Sequence, residues 1–319
     1  MINRDNWKLT RKYLDYRQFR QIAKITLDLD RSHLRHVLEW ADSVSFYRAY
    51  TISLPFPVYL AGEGLGPAQQ KRVGMTARSF FSWLVYASPK RTTGLDTLWR
   101  ESLLPPGQDD MVPHQDPYSL DEVMRICDVD TSSLTDLRGQ AGAALMFLSG
   151  IRPGALVTIP IVCVDLDSGE LRQWPELGVA TKRRKRATTY MLNIPPLVEV
   201  ARRWDNLVRP DLPPDHAWYA HVASDGQGLA MGPVATSNRV QSFANTLRQL
   251  CQRADVRYRR PHDLRHGHAS YALTLCSDVA DYKAVSVNLM HGSITVTDHV
   301  YASLGSKEVK KRIESLRDK

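Results

Sequence analysis

A proline-rich segment at residues 101–118 constrains the fold of this chain most strongly, because it interrupts any regular helix or strand. The residues responsible are Pro105, Pro106, Gly107, Pro113 and Pro117. Few apolar residues recur at regular spacing there, which is typical of a linker. A chain of 319 residues is also long for a single domain. We therefore predict two domains, at residues 1–107 and 118–319, joined by a linker at 108–117.

The part before the linker has the periodicity of helices. Leu34, Val37, Leu38 and Ala41 follow the i, i+3, i+4, i+7 spacing of one helix face. Pro67 stands where the first turn of a helix tolerates proline. The stretch after it carries basic residues early and large apolar residues late. We predict a small helical bundle with basic edges.

The part after the linker combines helices with a few strands. Ser119 and Glu122 form a capping-box pattern that begins a helix, and a helix at Leu134–Ser149 ends at Gly150. The composition of residues 159–166 and 188–194 predicts two strands, and the sequence at 167–169 predicts a tight turn. The predicted fold class is mostly α with a small β-sheet.

The charge balance favours a polyanionic partner. Lys and Arg total 42 against 34 Asp and Glu, which gives a net charge of +8 and a pI near 9.3. Two basic runs stand out, KRRKR at 182–186 and RYRR at 257–260. We found no apolar stretch of the roughly 18 residues that a membrane span needs, no secretory signal and no C-x-x-C pair. We therefore expect a cytoplasmic protein with reduced thiols and no membrane partner.

Six residues that could take part in catalysis occur one after another in the part of the chain after the linker. Arg152 follows the helix that ends at Gly150, Lys182 begins the first basic run, and His262 and Arg265 are neighbours on one helix face. His291 and Tyr301 follow these. Each has a simpler explanation when taken alone: Arg152 could cap a helix, Lys182 could be a solvated charge, and His291 could be a core histidine.

The ordered set resembles the tyrosine recombinase family, also called phage integrases. The residues that carry the resemblance are SGIRPGAL (149–156), HDLRHGHAS (262–270) and LMHGSITVTDHVY (289–301). Residues 59–84 resemble the family's helical core-binding domain more loosely. The resemblance implies a helical core-binding domain and an α+β catalytic domain that form a C-shaped clamp around double-stranded DNA.

The same resemblance implies a mechanism in which Tyr301 attacks the phosphorus and forms a 3′-phosphotyrosyl intermediate. Arg152 and Arg265 would stabilise the charge on the phosphate, and His262 would accept a proton. Strand exchange through a Holliday junction would then need no cofactor, metal or ATP. A metal site at His262 and His266 is not expected, because no glutamate or acidic cluster completes it.

Two further roles follow from the resemblance. Lys182 would donate a proton to the departing 5′-oxygen, and His291 would hydrogen-bond the scissile phosphate. Lys185 is the alternative lysine, and if the basic run is a strand the two lysines point to opposite faces. The other predicted DNA-contacting residues are Arg183, Arg184, Lys185, Arg257, Arg259 and Arg260.

The chain departs from the family pattern at two places. Ala155 stands where an acidic residue is usual, and Met290 rather than glycine precedes His291. A non-catalytic DNA-binding protein on the same fold, a type IB topoisomerase and a metal-dependent nuclease remain alternatives. After Tyr301, an apolar stripe predicts a tail helix that docks on a neighbouring subunit of a tetramer on DNA; its members are Leu304, Val309, Ile313 and Leu316.

Overall fold

A computed structural model describes residues 3–105, 116–131, 133–223, 226, 228–230 and 238–290. The contacts divide the chain into two compact units, Met1–Met111 and Val112–Lys319. This division lies within the proline-rich segment, and the exact bounds of a linker stay a prediction. In the part of the chain that the structure describes, no helix is long and apolar enough to cross a membrane.

The described part of the N-terminal unit contains helices and their connections and no strand. Its helices are α1 (Arg4–Phe19), α2 (Lys24–Ala41), α3 (Phe56–Gly62), α4 (Pro67–Ala87) and α5 (Thr97–Glu101). The predicted apolar face of α2 is confirmed as buried, and Pro67 begins α4 as predicted. Phe46, Phe80 and Phe81 contact one another edge-to-face in the core, with ring centroids 5.1–5.6 Å apart.

The C-terminal unit is built around one buried helix. Its helices are α6 (Leu120–Asp128), α7 (Leu134–Ser149), α8 (Pro153–Leu156), α9 (Pro195–Asp211), α10 (Arg239–Arg253), α11 (His262–Leu275) and α12 (Val279–Asn288). Helix α7 packs against α6, α9, α10 and α11. Its glycines allow this close packing, since a Cβ on Gly142 would lie 2.9 Å from the Tyr219 ring and 3.0 Å from the Phe243 ring.

Local signals predicted both ends of this helical core correctly. Ser119 and Glu122 form the predicted capping box at the start of α6. Helix α7 has the predicted bounds, and it ends because Gly150 adopts a left-handed conformation with φ of 63°. The cysteines Cys127, Cys163, Cys251 and Cys276 are free thiols, as predicted.

Three short antiparallel strands form the sheet in the order β1-β2-β3. They are β1 (Val164–Asp165), β2 (Glu170–Gln173) and β3 (Ala187–Tyr190). The predicted turn is present between β1 and β2, where Gly169 has φ of 72°. On the opposite side of the sheet, β3 pairs only with β2 among the described strands, so it is an edge strand.

Both strand predictions were too long. Of residues 159–166, only Val164 and Asp165 are strand, because the amides of Ile161 and Val162 bond to the carbonyls of His216 and Pro214 instead. The predicted strand at 188–194 ends at Tyr190. The Leu192 amide then bonds to the Leu148 carbonyl, which directs the chain into α9.

Candidate active site

Two of the predicted site arginines lie at the junction of α7, α8 and α11. Arg152 is the residue before α8, two positions after the left-handed Gly150, and Arg265 is on the first turn of α11. Arg265 is 4% exposed, and its guanidinium donates hydrogen bonds to the carbonyl oxygens of Gly150 and Leu289. The fork of Arg265 is thus fixed between the end of α7 and the residue that follows α12.

The charges of these two arginines are not cancelled by the protein that the structure describes. Burial lowers the pKa of Arg265 to about 9, with a further contribution from the positive charge of Arg152. Burial also lowers the pKa of Arg152. Within the described residues, no carboxylate pairs with either guanidinium, and the usual acidic position is a buried alanine, Ala155. Two partly or fully desolvated cations that lack a carboxylate partner among the described residues favour binding of an anion.

His262 begins α11 beside this arginine pair. Its residue is exposed on the surface, but nearby protein atoms partly desolvate the ring and lower its pKa to about 4. The charges of His266, Arg265 and Arg152 contribute in the same direction. The His266 ring lies 4.8 Å away at an angle of 82°. His262 is therefore neutral at neutral pH, which is the form that can accept a proton.

His268 and Gly150 hold α11 against α7. The Nδ1 atom of buried His268 lies 2.7 Å from the Phe147 carbonyl oxygen. Because a carbonyl oxygen only accepts, this Nδ1 carries the proton. A Cβ on Gly150 would lie 2.7 Å from both the His268 ring and the Leu289 side chain. This position therefore requires glycine for its left-handed backbone and for the close approach of two side chains.

Lys182 lies on the connection between β2 and β3. The residues Lys182–Arg184 form a short 3₁₀ turn rather than part of a strand, and Arg183 and Arg184 have φ values of 59° and 52°. The condition that this run is a strand is therefore not met, and the argument that Lys182 and Lys185 point to opposite faces does not apply. Both lysines are exposed, as are Arg183 and Arg184.

The basic run RYRR divides into one structural arginine and two exposed ones. The Arg259 side chain is 13% exposed and donates to Glu122 at 2.9 Å and to Asp116 at 3.0 Å. Its guanidinium also lies 5.2 Å from the centre of the Tyr118 ring. Arg257 and Arg260 are exposed, and their nearest carboxylates are more distant, at 3.3 Å and 3.9 Å.

Asn288 is a residue near the site that the sequence analysis missed. Its Oδ1 accepts a hydrogen bond of 2.7 Å from the Tyr190 amide, and its Nδ2 donates one of 2.9 Å to the Tyr190 carbonyl. The end of α12 is thereby attached to β3, the strand that follows the Lys182 turn. A lone asparagine at a helix end carries no pattern that predicts such a contact.

The structure therefore brings together Arg152, His262 and Arg265 and places Lys182 on a separate loop. His291, Tyr301 and the tail stripe with Leu304, Val309, Ile313 and Leu316 lie outside the described residues.

The fold is shared with solved integrases. The integrase of transposon Tn1549, solved with circular intermediate DNA, aligns with a TM-score of 0.65 and 13% identity over 99% of this chain and 100% of that one. A lambda integrase dimer bound to a core site aligns with a TM-score of 0.62 and 12% identity over 94% and 96% of the two chains. At these identities the likeness concerns the fold, which is of the integrase class.

The family follows from sequence comparison. Residues 118–308 match the phage integrase family. Tyrosine recombinase XerC of Salmonella typhi is 29% identical over 305 residues, covering 89% of this chain and 87% of that protein. Tyrosine recombinase XerD of Listeria innocua is 27% identical over 258 residues, covering 76% and 74%. The chain belongs to the phage integrase family and is a tyrosine recombinase.

Proposed function

We propose that this tyrosine recombinase is a site-specific recombinase or integrase that cleaves and rejoins double-stranded DNA through Tyr301, without metal or ATP. One observation carries the proposal: buried Arg265 is hydrogen-bonded to the carbonyl of Gly150, two residues before Arg152, and no carboxylate among the described residues pairs with either arginine. A phosphate between the two guanidinium groups would supply the missing negative charge.

The arginine pair suits the charge that develops during phosphoryl transfer. Attack on a phosphodiester increases the negative charge on the non-bridging oxygens, and guanidinium forks bind such oxygens in a bidentate manner. Arg265 is already oriented by the carbonyl groups of Gly150 and Leu289. Little reorganisation is then needed when the transition state forms, which is the condition under which electrostatic stabilisation is most effective.

Proton transfer divides among the remaining residues. A phenol with an ordinary pKa near ~10 needs help to lose its proton at neutral pH, and neutral His262 can accept that proton. Lys182 supplies a proton to the departing 5′-oxygen, and His291 hydrogen-bonds the scissile phosphate. The Lys182 turn is exposed, so this lysine can approach a bound strand.

Rejoining reverses the same steps. Tyr301 replaces the 5′-oxygen on phosphorus, and the 5′-hydroxyl of a partner strand then displaces Tyr301. One phosphodiester is exchanged for another through a Holliday junction, so the free energy of the bond is retained and no external energy source is required.

DNA binding uses both predicted domains, residues 1–107 and 118–319, which are connected by the linker at 108–117. The phosphate contacts come from the exposed basic residues Arg183, Arg184, Lys185, Arg257 and Arg260. Arg259 supports this surface from within, since its charge is already paired. Four subunits assemble on DNA, and each docks its C-terminal tail on a neighbouring subunit. The protein acts on DNA in the cytoplasm.

The test is the covalent protein–DNA adduct. Nicked duplexes made from the gene's own flanking sequences are incubated with the chain in EDTA and resolved on a denaturing gel. We expect an adduct from the wild type and none from Tyr301→Phe. Tyr190→Phe is a matched control, because only the backbone of Tyr190 makes the contacts to Asn288. An adduct in Tyr301→Phe, or one that requires a divalent metal, contradicts the proposal.

The buried Ala155 favours one alternative, a DNA-binding protein of the same fold that does not cleave. Without an acidic side chain at this position, Arg152 lacks the usual support. Tight binding of a duplex by mobility shift without any adduct would favour this alternative. Relaxation of supercoiled DNA without strand exchange would instead indicate a type IB topoisomerase.

A further inference from the structure

A second group of chemistry-bearing side chains lies in the N-terminal unit, and it belongs to none of the motifs described above. His36 and Glu39 lie on α2, and Glu63 follows the last residue of α3. The Nδ1 atom of His36 is 4.0 Å from Glu39 Oε2 and 3.9 Å from Glu63 Oε2. One nitrogen and one oxygen from each glutamate all lie within 4.8 Å of one another.

The buried histidine indicates that this group of side chains binds a further partner. His36 is 7% exposed, and its Nδ1 has no hydrogen-bond partner among the described residues. Leaving a buried polar atom unpaired costs free energy, and native proteins rarely do so. The atom faces two carboxylates at distances too long for a hydrogen bond, so a cation between the three groups would give each of them a partner.

The glutamates have enough freedom to complete such a site. Their side chains are 38% and 39% exposed. Glu39 uses its other oxygen for an ion pair of 3.4 Å with Arg35, and the Tyr59 hydroxyl lies 3.5 Å from Glu39 Oε2. Around a tetrahedral Zn²⁺ with bonds of about 2.0–2.1 Å, ligand atoms lie about 3.4 Å apart. Small rotations of two half-exposed side chains supply this contraction.

We propose that His36, Glu39 and Glu63 bind one divalent first-row transition metal ion, with Zn²⁺ as the representative. An imidazole nitrogen with two carboxylate oxygens suits this class of metal. Mg²⁺ and Ca²⁺ prefer oxygen ligands throughout and fit the histidine poorly. The ion connects α2 to the end of α3 and leaves at least one coordination position to water.

The metal stabilises the N-terminal unit and takes no part in DNA cleavage. Because Glu63 is brought to His36 only when α2 and α3 are packed, the ion binds the folded chain and raises its melting temperature. The inference does not rest on the proposed recombinase activity.

The experiment uses the untagged full chain, freed of metal with EDTA and dialysed against micromolar Zn²⁺, with bound zinc measured by elemental analysis. The test variant is Glu39→Gln with Glu63→Gln, which keeps side-chain shape but removes both anionic ligands. Glu101→Gln is the control, since Glu101 is exposed in the same unit and pairs with Arg78. We expect the wild type and the control to hold one zinc per chain more than the double variant.

A second measurement protects against a folding artefact. Zn²⁺ should raise the melting temperature of the wild type and the control but not of the double variant, and Mg²⁺ should raise none of them. Equal zinc content in wild type and double variant overturns the proposal. The proposal is also overturned if the double variant melts below the wild type by the same amount with and without Zn²⁺, because direct contact of His36 with the two glutamates would then explain the group without a metal.

Discussion

Arg265 and Arg259 are six positions apart and both are largely buried, but their partners differ. Arg259 is paired with Asp116 and Glu122, so its charge is balanced within the domain. Arg265 is held by the backbone carbonyls of Gly150 and Leu289, which orient its guanidinium without cancelling its charge. The kind of partner, more than burial or charge, separates an arginine that stabilises the fold from one that is available to a phosphate.

The largest effect that tests this comparison is on cleavage. Arg265→Lys keeps the charge but loses the planar fork, so we expect the single-turnover rate of adduct formation to fall about 100- to 1000-fold. Arg259→Lys should stay within a few-fold of the wild type, because Arg259 contacts carboxylates rather than the reacting phosphate. A larger loss in Arg259→Lys than in Arg265→Lys would reverse the two assignments.

Acid should destabilise the region around Arg265, because it adds charge where charge is already uncompensated. Burial lowers the pKa of His268 to about 4, so between pH 6.5 and 5 the unfolded chain binds a proton that the folded chain does not. The free energy of unfolding is therefore lower at pH 5, by roughly 2 kcal/mol from this buried histidine. Urea unfolding at pH 7.5 and 5 measures it; equal stability at both would contradict the expected shift.

Removing the paired arginine should affect stability more than chemistry. Arg259→Met leaves the Glu122 carboxylate without its arginine partner, and we expect a loss of about 1–2 kcal/mol in the free energy of unfolding. Adding Glu122→Gln should recover part of that loss, since the carboxylate is then no longer uncompensated. Urea denaturation of the two variants measures this coupling, and strictly additive losses would argue against the ion pair.

The smallest expected effect concerns DNA binding. Arg257→Ala should weaken affinity a few-fold for every sequence and reduce the slope of log K against log salt by about one, as for loss of one phosphate contact. Arg259→Ala should leave the slope unchanged. Mobility shifts over a range of salt concentrations distinguish the two, and a changed slope in Arg259→Ala would show that this arginine contacts phosphate after all.

The sequence predicted those features whose causes are local. The bounds of α7, the capping box at Ser119 and the start of α4 at Pro67 depend on residues a few positions apart, and all were confirmed. The lengths of the strands were overestimated because amides in the predicted strands bond to distant segments instead, such as that of Ile161 to the carbonyl of His216.

The charged partners of the site residues could not be predicted from the sequence, for the same reason. The order of Arg152, His262 and Arg265 was visible, but the carboxylates that separate Arg259 from Arg265 come from positions up to 143 residues away. Likewise, Glu63 reaches His36 only through the packing of α3 on α2. Partners that meet through tertiary packing leave no periodic signal in the chain.

The Asn288 amide also protects the sheet from other chains. An edge strand presents unpaired N–H and C=O groups to which another strand can add. At Tyr190, both groups of the edge strand β3 are taken by one side chain, which occupies the place of a neighbouring strand. With only four residues in β3, this leaves too short a template for strand addition. Asn288→Ala should therefore make the protein more prone to aggregate through this edge; light scattering that rises no faster than in the wild type would contradict this.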